Sequence, residues 1–173
     1  MSSMFSQMNK SNYFIGVSLA NNSAISRAVS PLISQHSAAI RWQLPEKWHL
    51  TTVFFAGSYP SDLTSQSFID VGIPTLSVQG QKIYHRKNQG ILTINCASIE
   101  MFFWHRRICN ILKIIPAAFD PHITIARGPF EQISAIRLPN INSQFHFNEL
   151  ILFESTRDNQ QLYRKILTFR LEK

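Results

Sequence analysis

Apolar positions along the chain fall into short continuous runs and into helical spacings. The run NYFIGVSLA at 12–20 is rich in aromatic and β-branched residues and predicts a buried strand. The apolar residues after it repeat at the spacing of one helical face; they are Ile25, Ala28, Val29, Leu32 and Ile33. Asn21, Asn22 or Ser23 can cap this helix, and we expect Pro31 to kink or split it.

Two strands are predicted after this helix. The first is a short edge strand over 39–45, AIRWQLP, which Pro45 ends. The second begins with HLTTVFF at 49–55 and ends at a polar loop. A short helix is expected over 62–71.

The middle of the chain predicts a hairpin and a second helix. TLSVQGQKIYH and GILTINC flank the polar sequence RKNQG at 86–90, which indicates a β-hairpin. After Ser98 we expect a helix that ends by Pro116. Its expected apolar face consists of Ile99, Phe102, Phe103, Cys109, Leu112 and Ile115.

Three further strands complete the chain. The first carries HITIA at 122–126. The other two are predicted over 145–155 and 162–172, around a polar turn at 156–161.

The order strand, helix, strand occurs twice, over 12–56 and again over 90–127. This order predicts two lobes related by a pseudo-twofold axis, within one domain over 12–173 that follows a flexible tail at 1–11. The lack of regular βαβα alternation and of a Gly-rich first turn argues against a doubly wound fold. The expected class is α+β, with two mostly antiparallel sheets that form a central cleft and helices outside.

Composition and charge narrow the class of protein. Of 173 residues, 45% are apolar and 16% are charged, which is typical of a globular domain. No apolar run reaches the roughly 18–20 residues of a membrane span, so no membrane association is predicted. Cys96 and Cys109 lack metal-ligand spacing, and we expect two reduced, buried thiols in a cytoplasmic protein. A net charge of +7 weakly favours a polyanionic partner such as nucleic acid.

The same polar pair, a histidine two residues before a threonine, stands in both predicted central strands. Because residues i and i+2 of a strand share a face, His49 and Thr51 point one way and Leu50, Thr52 and Phe54 the other. His122 and Thr124 share a face in the same manner, with Ile123 and Ile125 behind them. One such match is weak, whereas two in apolar strands are hard to ascribe to chance.

Two histidines on facing lobes suit the displacement of a phosphodiester. One can activate the nucleophile as a base, and the other can protonate the leaving oxygen as an acid. The threonine hydroxyls can donate hydrogen bonds to the non-bridging oxygens, and Arg127 is the candidate cation. A metal site is the rival use of paired histidines, but no carboxylate or cysteine accompanies them at ligand spacing. We therefore predict no metal and no cofactor.

The chain resembles the two-histidine phosphoesterases, and within them the bacterial RNA 2′,3′-cyclic phosphodiesterases, also called 2′-5′ RNA ligases. The resemblance covers almost the whole chain and rests on YFIGVSL, RWQLPEKWHLTTVFFAG, FDPHITIARG and LILFES…LYRKILTFRL. It implies a bilobal fold and hydrolysis of 2′,3′-cyclic phosphate ends to 2′-phosphates, with reversible 2′-5′ ligation of tRNA halves. It also implies that His49 donates the proton and His122 accepts it, while Thr51, Thr124 and Arg127 bind phosphate.

The remaining expectations concern RNA contacts and rival functions. Phe14, Trp42, Arg86 and Tyr163 are candidate RNA contacts. We predict a monomer that acts on RNA ends, tRNA fragments among them, without a protein partner. One alternative is a non-catalytic module that binds RNA ends. Another is an enzyme that acts on 2′-5′ oligonucleotides or on a small cyclic nucleotide phosphate.

Overall fold

The computed structural model describes residues 12–36, 38–141, 143–155 and 163–171. Its strands are β1 (Asn12–Ser18), β2 (Arg41–Trp42), β3 (His49–Ala56), β4 (Leu76–Ser77), β5 (Gly80–Arg86), β6 (Gln89–Asn95), β7 (His122–Pro129), β8 (Gln144–Phe145), β9 (Glu149–Ser155) and β10 (Tyr163–Arg170). Its helices are α1 (Ser23–Ile33), α2 (Ile99–Ile111) and α3 (Phe130–Ala135), with 3₁₀ turns at Pro45–Lys47 and Ser65–Val71. The tail at 1–11 and the polar turn at 156–161 lie outside the described residues.

The large sheet has the order β10-β9-β1-β3-β7-β6-β5, with β2 paired to β7, and every pairing in it is antiparallel. The two halves of this sheet meet at one register pair, Leu50 opposite Ile123. Strands β4 and β8 form a separate two-stranded sheet. The α+β class and the bilobal, mostly antiparallel arrangement are thus confirmed, and the two expected sheets are joined edge to edge.

The first lobe follows the expected order with two local differences. Asn22 caps α1, since its side chain accepts hydrogen bonds from the amides of Ala24 and Ile25. Pro31 lies in the last turn and does not split α1, which runs on to Ile33. The edge strand is shorter than the run 39–45 suggested, because a 3₁₀ turn begins at Pro45.

Helix α2 begins where the sequence suggested, with Ser98 as its cap, but its buried face is different. The side chains that pack inward are Met101, Trp104, His105, Ile108 and Cys109. Ile99, Phe102, Phe103 and Ile115, which the sequence placed on the apolar face, are exposed. The helix also ends at Ile111, five residues before Pro116, and α3 was not expected at all. Helical spacing alone could not decide between two partly apolar faces of the same helix.

One hydrophobic core runs behind both lobes. Its members include Ile15 on β1, Leu50 on β3, Ile94 on β6 and Ile123 on β7, all fully buried. A smaller cluster of Phe14, Ile151 and Phe153 lies apart from it. Since Ile15 and Phe14 are neighbours on β1, the small cluster occupies the opposite face of the sheet. No helix in the described part of the chain is long and apolar enough to cross a membrane.

Candidate active site

The two H-x-T strands lie side by side at the centre of the sheet. Leu50 and Ile123 oppose each other and point into the core, with no exposed surface. The histidine and threonine on either side of each of them therefore point to the other face, where they are partly exposed. The structure thus brings His49, Thr51, His122 and Thr124 together on one face of the sheet.

Both imidazoles are held by the same backbone contact. Nδ1 of His49 lies 2.8 Å from the carbonyl oxygen of Lys47, and Nδ1 of His122 lies 2.7 Å from that of Asp120. A carbonyl oxygen can only accept, so Nδ1 carries the proton in each ring. Nε2 is then the nitrogen of each histidine that remains available to take or give a proton.

A β-bulge follows each H-x-T motif at the same position. Thr52 has no register partner on β1, and Ile125 has none on β6. Each extra residue reverses the alternation of the strand beyond it. Arg127, three residues after Thr124, consequently lies on the same face as Thr124 and His122, where a regular strand would have turned it into the core.

The bulge at Thr52 corrects one expectation from the sequence. Phe54 was expected behind the histidine, yet it is 60% exposed, whereas Val53 and Phe55 are buried. It lies opposite Phe14 in the register of β1 and β3, on the face that carries His49. Phe54 occupies in the first lobe the position that Arg127 occupies in the second.

His49 lies against a wall of aromatic rings. Its ring centroid is 4.5 Å from that of Tyr163, 4.9 Å from that of Phe14 and 5.9 Å from that of Phe153. Burial lowers the pKa of His49 below the ordinary value. Electrostatic repulsion from His122 and Arg127 acts in the same direction, and the hydrogen bond to Lys47 acts against it. In the free protein His49 is therefore neutral at pH 7.

His122 is supported by polar groups instead. The carboxylate of Asp120 accepts hydrogen bonds from Lys82 at 2.6 Å and from the hydroxyl of Tyr84 at 2.5 Å. Partial burial raises the pKa of Asp120, but these two hydrogen bonds outweigh it and lower the pKa overall. Because the carbonyl of the same residue holds His122, strand β5 fixes the position of the second imidazole through Asp120.

Arg127 interacts electrostatically with charged and polar groups of both lobes. Burial lowers the pKa of its guanidinium, the nearby Tyr163 raises it, and the positive charges of Arg41 and Arg86 lower it again. Tyr163 comes from β10 of the first lobe, and burial raises the pKa of its hydroxyl. A cationic side chain of one lobe is thus within electrostatic reach of His49 and Tyr163 of the other.

The other candidate RNA contacts lie in different places relative to the histidines. Arg86 lines a cavity of about 350 Å³ together with His122, Thr124 and Arg127. Phe14 is only 3% exposed and supports the ring of His49, which leaves little of it for a ligand. Trp42 lies opposite the buried Ala126 and so points to the core face, away from the histidines.

Arg41, the neighbour of Trp42 on β2, lies opposite Arg127 on the cleft face. The sequence analysis did not single it out. Strand alternation next to Trp42 was the signal that could have found it. No group of three or more His, Cys, Asp or Glu side chains that could hold a metal ion occurs within the described ranges.

Solved structures share this architecture. Apo LigT of E. coli superimposes with a TM-score of 0.69 over 94% of this chain and 98% of its own, at 16% identity. The chain has the fold of LigT. A protein described as a phosphoesterase shares this fold at a TM-score of 0.67 and 18% identity, over 94% of this chain and 99% of its own.

The protein TT0787 of Thermus thermophilus shares the fold as well, with a TM-score of 0.65 and 15% identity over 92% of this chain and 97% of its own. E. coli LigT has also been solved with phosphate and with 3′-AMP. At the level of sequence, no family model and no curated protein matches the chain.

Proposed function

We propose that this protein is an RNA 2′,3′-cyclic phosphodiesterase that works by general acid and base catalysis. The observation that carries the proposal is the pair of imidazoles on one cleft face, each with Nδ1 bound to a backbone carbonyl and a threonine two residues on. Two proton-transfer groups on separate strands suit a reaction in which the nucleophile and the leaving group lie on opposite sides of phosphorus.

In the proposed reaction, water attacks the phosphorus of the 2′,3′-cyclic phosphate. The P–O3′ bond breaks, one histidine takes the proton of the water and the other protonates O3′. The products are a 2′-phosphate and a free 3′-hydroxyl. The reversible 2′-5′ ligation that the resemblance implies uses the same steps, with the 5′-hydroxyl of a second RNA in place of water.

The roles of the histidines follow the resemblance, with His49 as proton donor and His122 as proton acceptor. Neutral His49 in the free protein is compatible with this role, because the negative charge of a bound cyclic phosphate raises the pKa of an adjacent imidazole. Protonated His49 is then expected in the complex with substrate.

The phosphate itself is proposed to lie against Thr51, Thr124 and Arg127. The two hydroxyls are on the face that carries the histidines, and the partly buried guanidinium is within electrostatic reach of His49. Hydrogen-bond donors held in place in a partly buried site stabilise charge that develops on the non-bridging oxygens. LigT, which has the same fold, has been solved with phosphate and with 3′-AMP, and each of these ligands contains a phosphate group.

The test is hydrolysis of a nucleoside 2′,3′-cyclic phosphate, with the product identified as the 2′-phosphate. We expect turnover that EDTA does not abolish, and a loss of about 10²-fold or more in both His49→Ala and His122→Ala. His146→Ala, which removes an exposed histidine outside the site, is the matched control and should keep full activity.

Full activity in either of the two site variants would contradict the two-histidine mechanism. Tight binding of cyclic-phosphate ends without any product would favour a non-catalytic module. A panel that includes 2′-5′ oligonucleotides and small cyclic nucleotide phosphates would show whether one of these is the preferred substrate.

A further inference from the structure

Arginine side chains from three strands cluster on the His122 side of the cleft. Arg41 and Arg127 are direct partners in the register of β2 and β7, so their Cβ atoms lie about 5 Å apart. Arg86, at the end of β5, lines the same cavity as Arg127. Arg41 and Arg86 both lie within electrostatic reach of Arg127, one on each side of it.

No carboxylate in the described part of the chain forms an ion pair with this cluster. The two ion pairs found within the described ranges join Lys82 to Asp120 and Arg164 to Glu154. Like charges so close together repel each other, and a bound anion relieves that repulsion. The three arginines are therefore suited to hold more negative charge than one cyclic phosphate carries.

The cavity between Arg127 and Arg86 has the dimensions of a nucleoside site. Its volume is about 350 Å³, within the usual range for small-ligand pockets. His122, Thr124 and Arg127 stand at one side of it, where the cyclic phosphate is proposed to react. Tyr84 and Ile91 add aromatic and aliphatic surface, and Arg86 stands at the exposed end of the hairpin.

The ribose of an RNA end carries its cyclic phosphate on O2′ and O3′ and its other phosphate on O5′, at the opposite side of the ring. A nucleoside in this cavity with its cyclic phosphate beside Thr124 would thus direct its 5′-phosphate toward Arg86. We infer that Arg86 binds the 5′-phosphate of the terminal nucleotide, which makes RNA chains with cyclic-phosphate ends better substrates than mononucleosides. This inference rests on the proposed function and adds to it a subsite for the 5′-phosphate.

A dinucleotide that ends in a 2′,3′-cyclic phosphate tests the inference when its internal linkage is made in two forms. One form is the natural charged phosphodiester, and the other is a methylphosphonate of nearly the same shape without the charge. We expect kcat/KM to be about tenfold or more higher for the charged form, because a charge-assisted hydrogen bond from an arginine is lost in the neutral one.

The arginines supply matched variants. In Arg86→Ala the ratio of kcat/KM between the two forms should fall toward one, and Arg86→Lys should keep part of it because the charge remains while the forked geometry is lost. Arg41→Ala removes the same charge from the other side of Arg127, so this variant should keep the ratio.

A ratio near one in the wild type, or an undiminished ratio in Arg86→Ala, would overturn the subsite while leaving the proposed function intact. A fall of the kcat/KM ratio in Arg41→Ala but not in Arg86→Ala would also overturn the subsite. Failure of the wild type to hydrolyse either dinucleotide or a mononucleoside cyclic phosphate would overturn the proposed function itself.

Discussion

His49 and His122 make the same backbone contact but lie in different surroundings. His49 packs against the rings of Phe14 and Tyr163, whereas His122 rests on a carbonyl that polar side chains of β5 hold in place. Burial disfavours an imidazolium, so the two residues are not equivalent even though their motifs are. At the scale of the residue, the surroundings and not the motif give His49 its lowered pKa.

We predict that Phe14→Leu raises the pKa of His49 toward the ordinary value, because a smaller side chain lets water reach the ring. The measurement is an NMR titration of the imidazole. The pKa of His49 in the folded protein lies below the unfolded-state value of about 6.5. The free energy of unfolding therefore decreases as the pH falls below that value, because the unfolded state takes up the proton first. Phe14→Leu should weaken this pH dependence.

Phe103→Leu, on the exposed face of α2, is the control for this titration and should leave the pKa of His49 unchanged. An unaltered pKa in Phe14→Leu would show that the aromatic wall does not cause the shift.

The bulges in β3 and β7 are the features that matter at the scale of the element. Each bulge comes directly after the threonine of its motif. As a result, the side chain three residues after that threonine points toward the cleft; it is Phe54 in β3 and Arg127 in β7. Gly16 lies beside the first bulge, where a Cβ would approach the carbonyl oxygen of Leu50 too closely. Only glycine lets β1 come this near to the strand that carries His49.

We predict that Gly16→Ala lowers the free energy of unfolding by about 1–3 kcal/mol and lowers kcat by about 10- to 100-fold. The reason is that Leu50, between His49 and Thr51, must move to relieve the contact. Urea denaturation and cyclic-phosphate hydrolysis measure the two effects.

Gly90→Ala is the matched control, since its Cβ would meet Cβ of Ile133 at 2.7 Å on the core face. It should lose stability to a similar degree but keep most of its turnover. Normal turnover in Gly16→Ala would mean that the glycine does not set the position of the catalytic strand.

The two lobes share one core at the scale of the whole molecule. Only Leu50 and Ile123 join the two halves of the sheet by register within the described ranges, but the buried cluster behind them is continuous from β1 to β6. A continuous core makes the two halves depend on each other for stability. The cleft therefore lies on the outside of a single packed unit.

We predict that the protein unfolds in one cooperative transition and that Leu50→Ala costs about 2–5 kcal/mol. Circular dichroism and tryptophan fluorescence should report the same midpoint, and hydrogen exchange should show reduced protection in both β1 and β6. Leu167→Ala, at a partly exposed site on β10, should cost much less. Two separate transitions, or a loss of protection confined to one lobe, would contradict a shared core.

Much of this architecture could be predicted from local patterns. Apolar runs and turn residues located the main strands, the cap of α1 to within three residues, 21–23, and the start of α2, because backbone sterics and hydrogen bonding act over a few residues. The spacing of His49 to Thr51 and of His122 to Thr124 also determined that each pair shares a face. These predictions needed no knowledge of which segments meet.

The features that could not be predicted depend on contacts between distant segments. The buried face of α2 follows from what packs on it, and both bulges follow from strand pairing, so the faces of Phe54 and Arg127 could not be derived from alternation along the sequence. The sequence by itself determined the two polar pairs and the strands that carry them. The tertiary structure decided which charges and rings surround them, because burial and electrostatic fields sum over residues far apart in the chain.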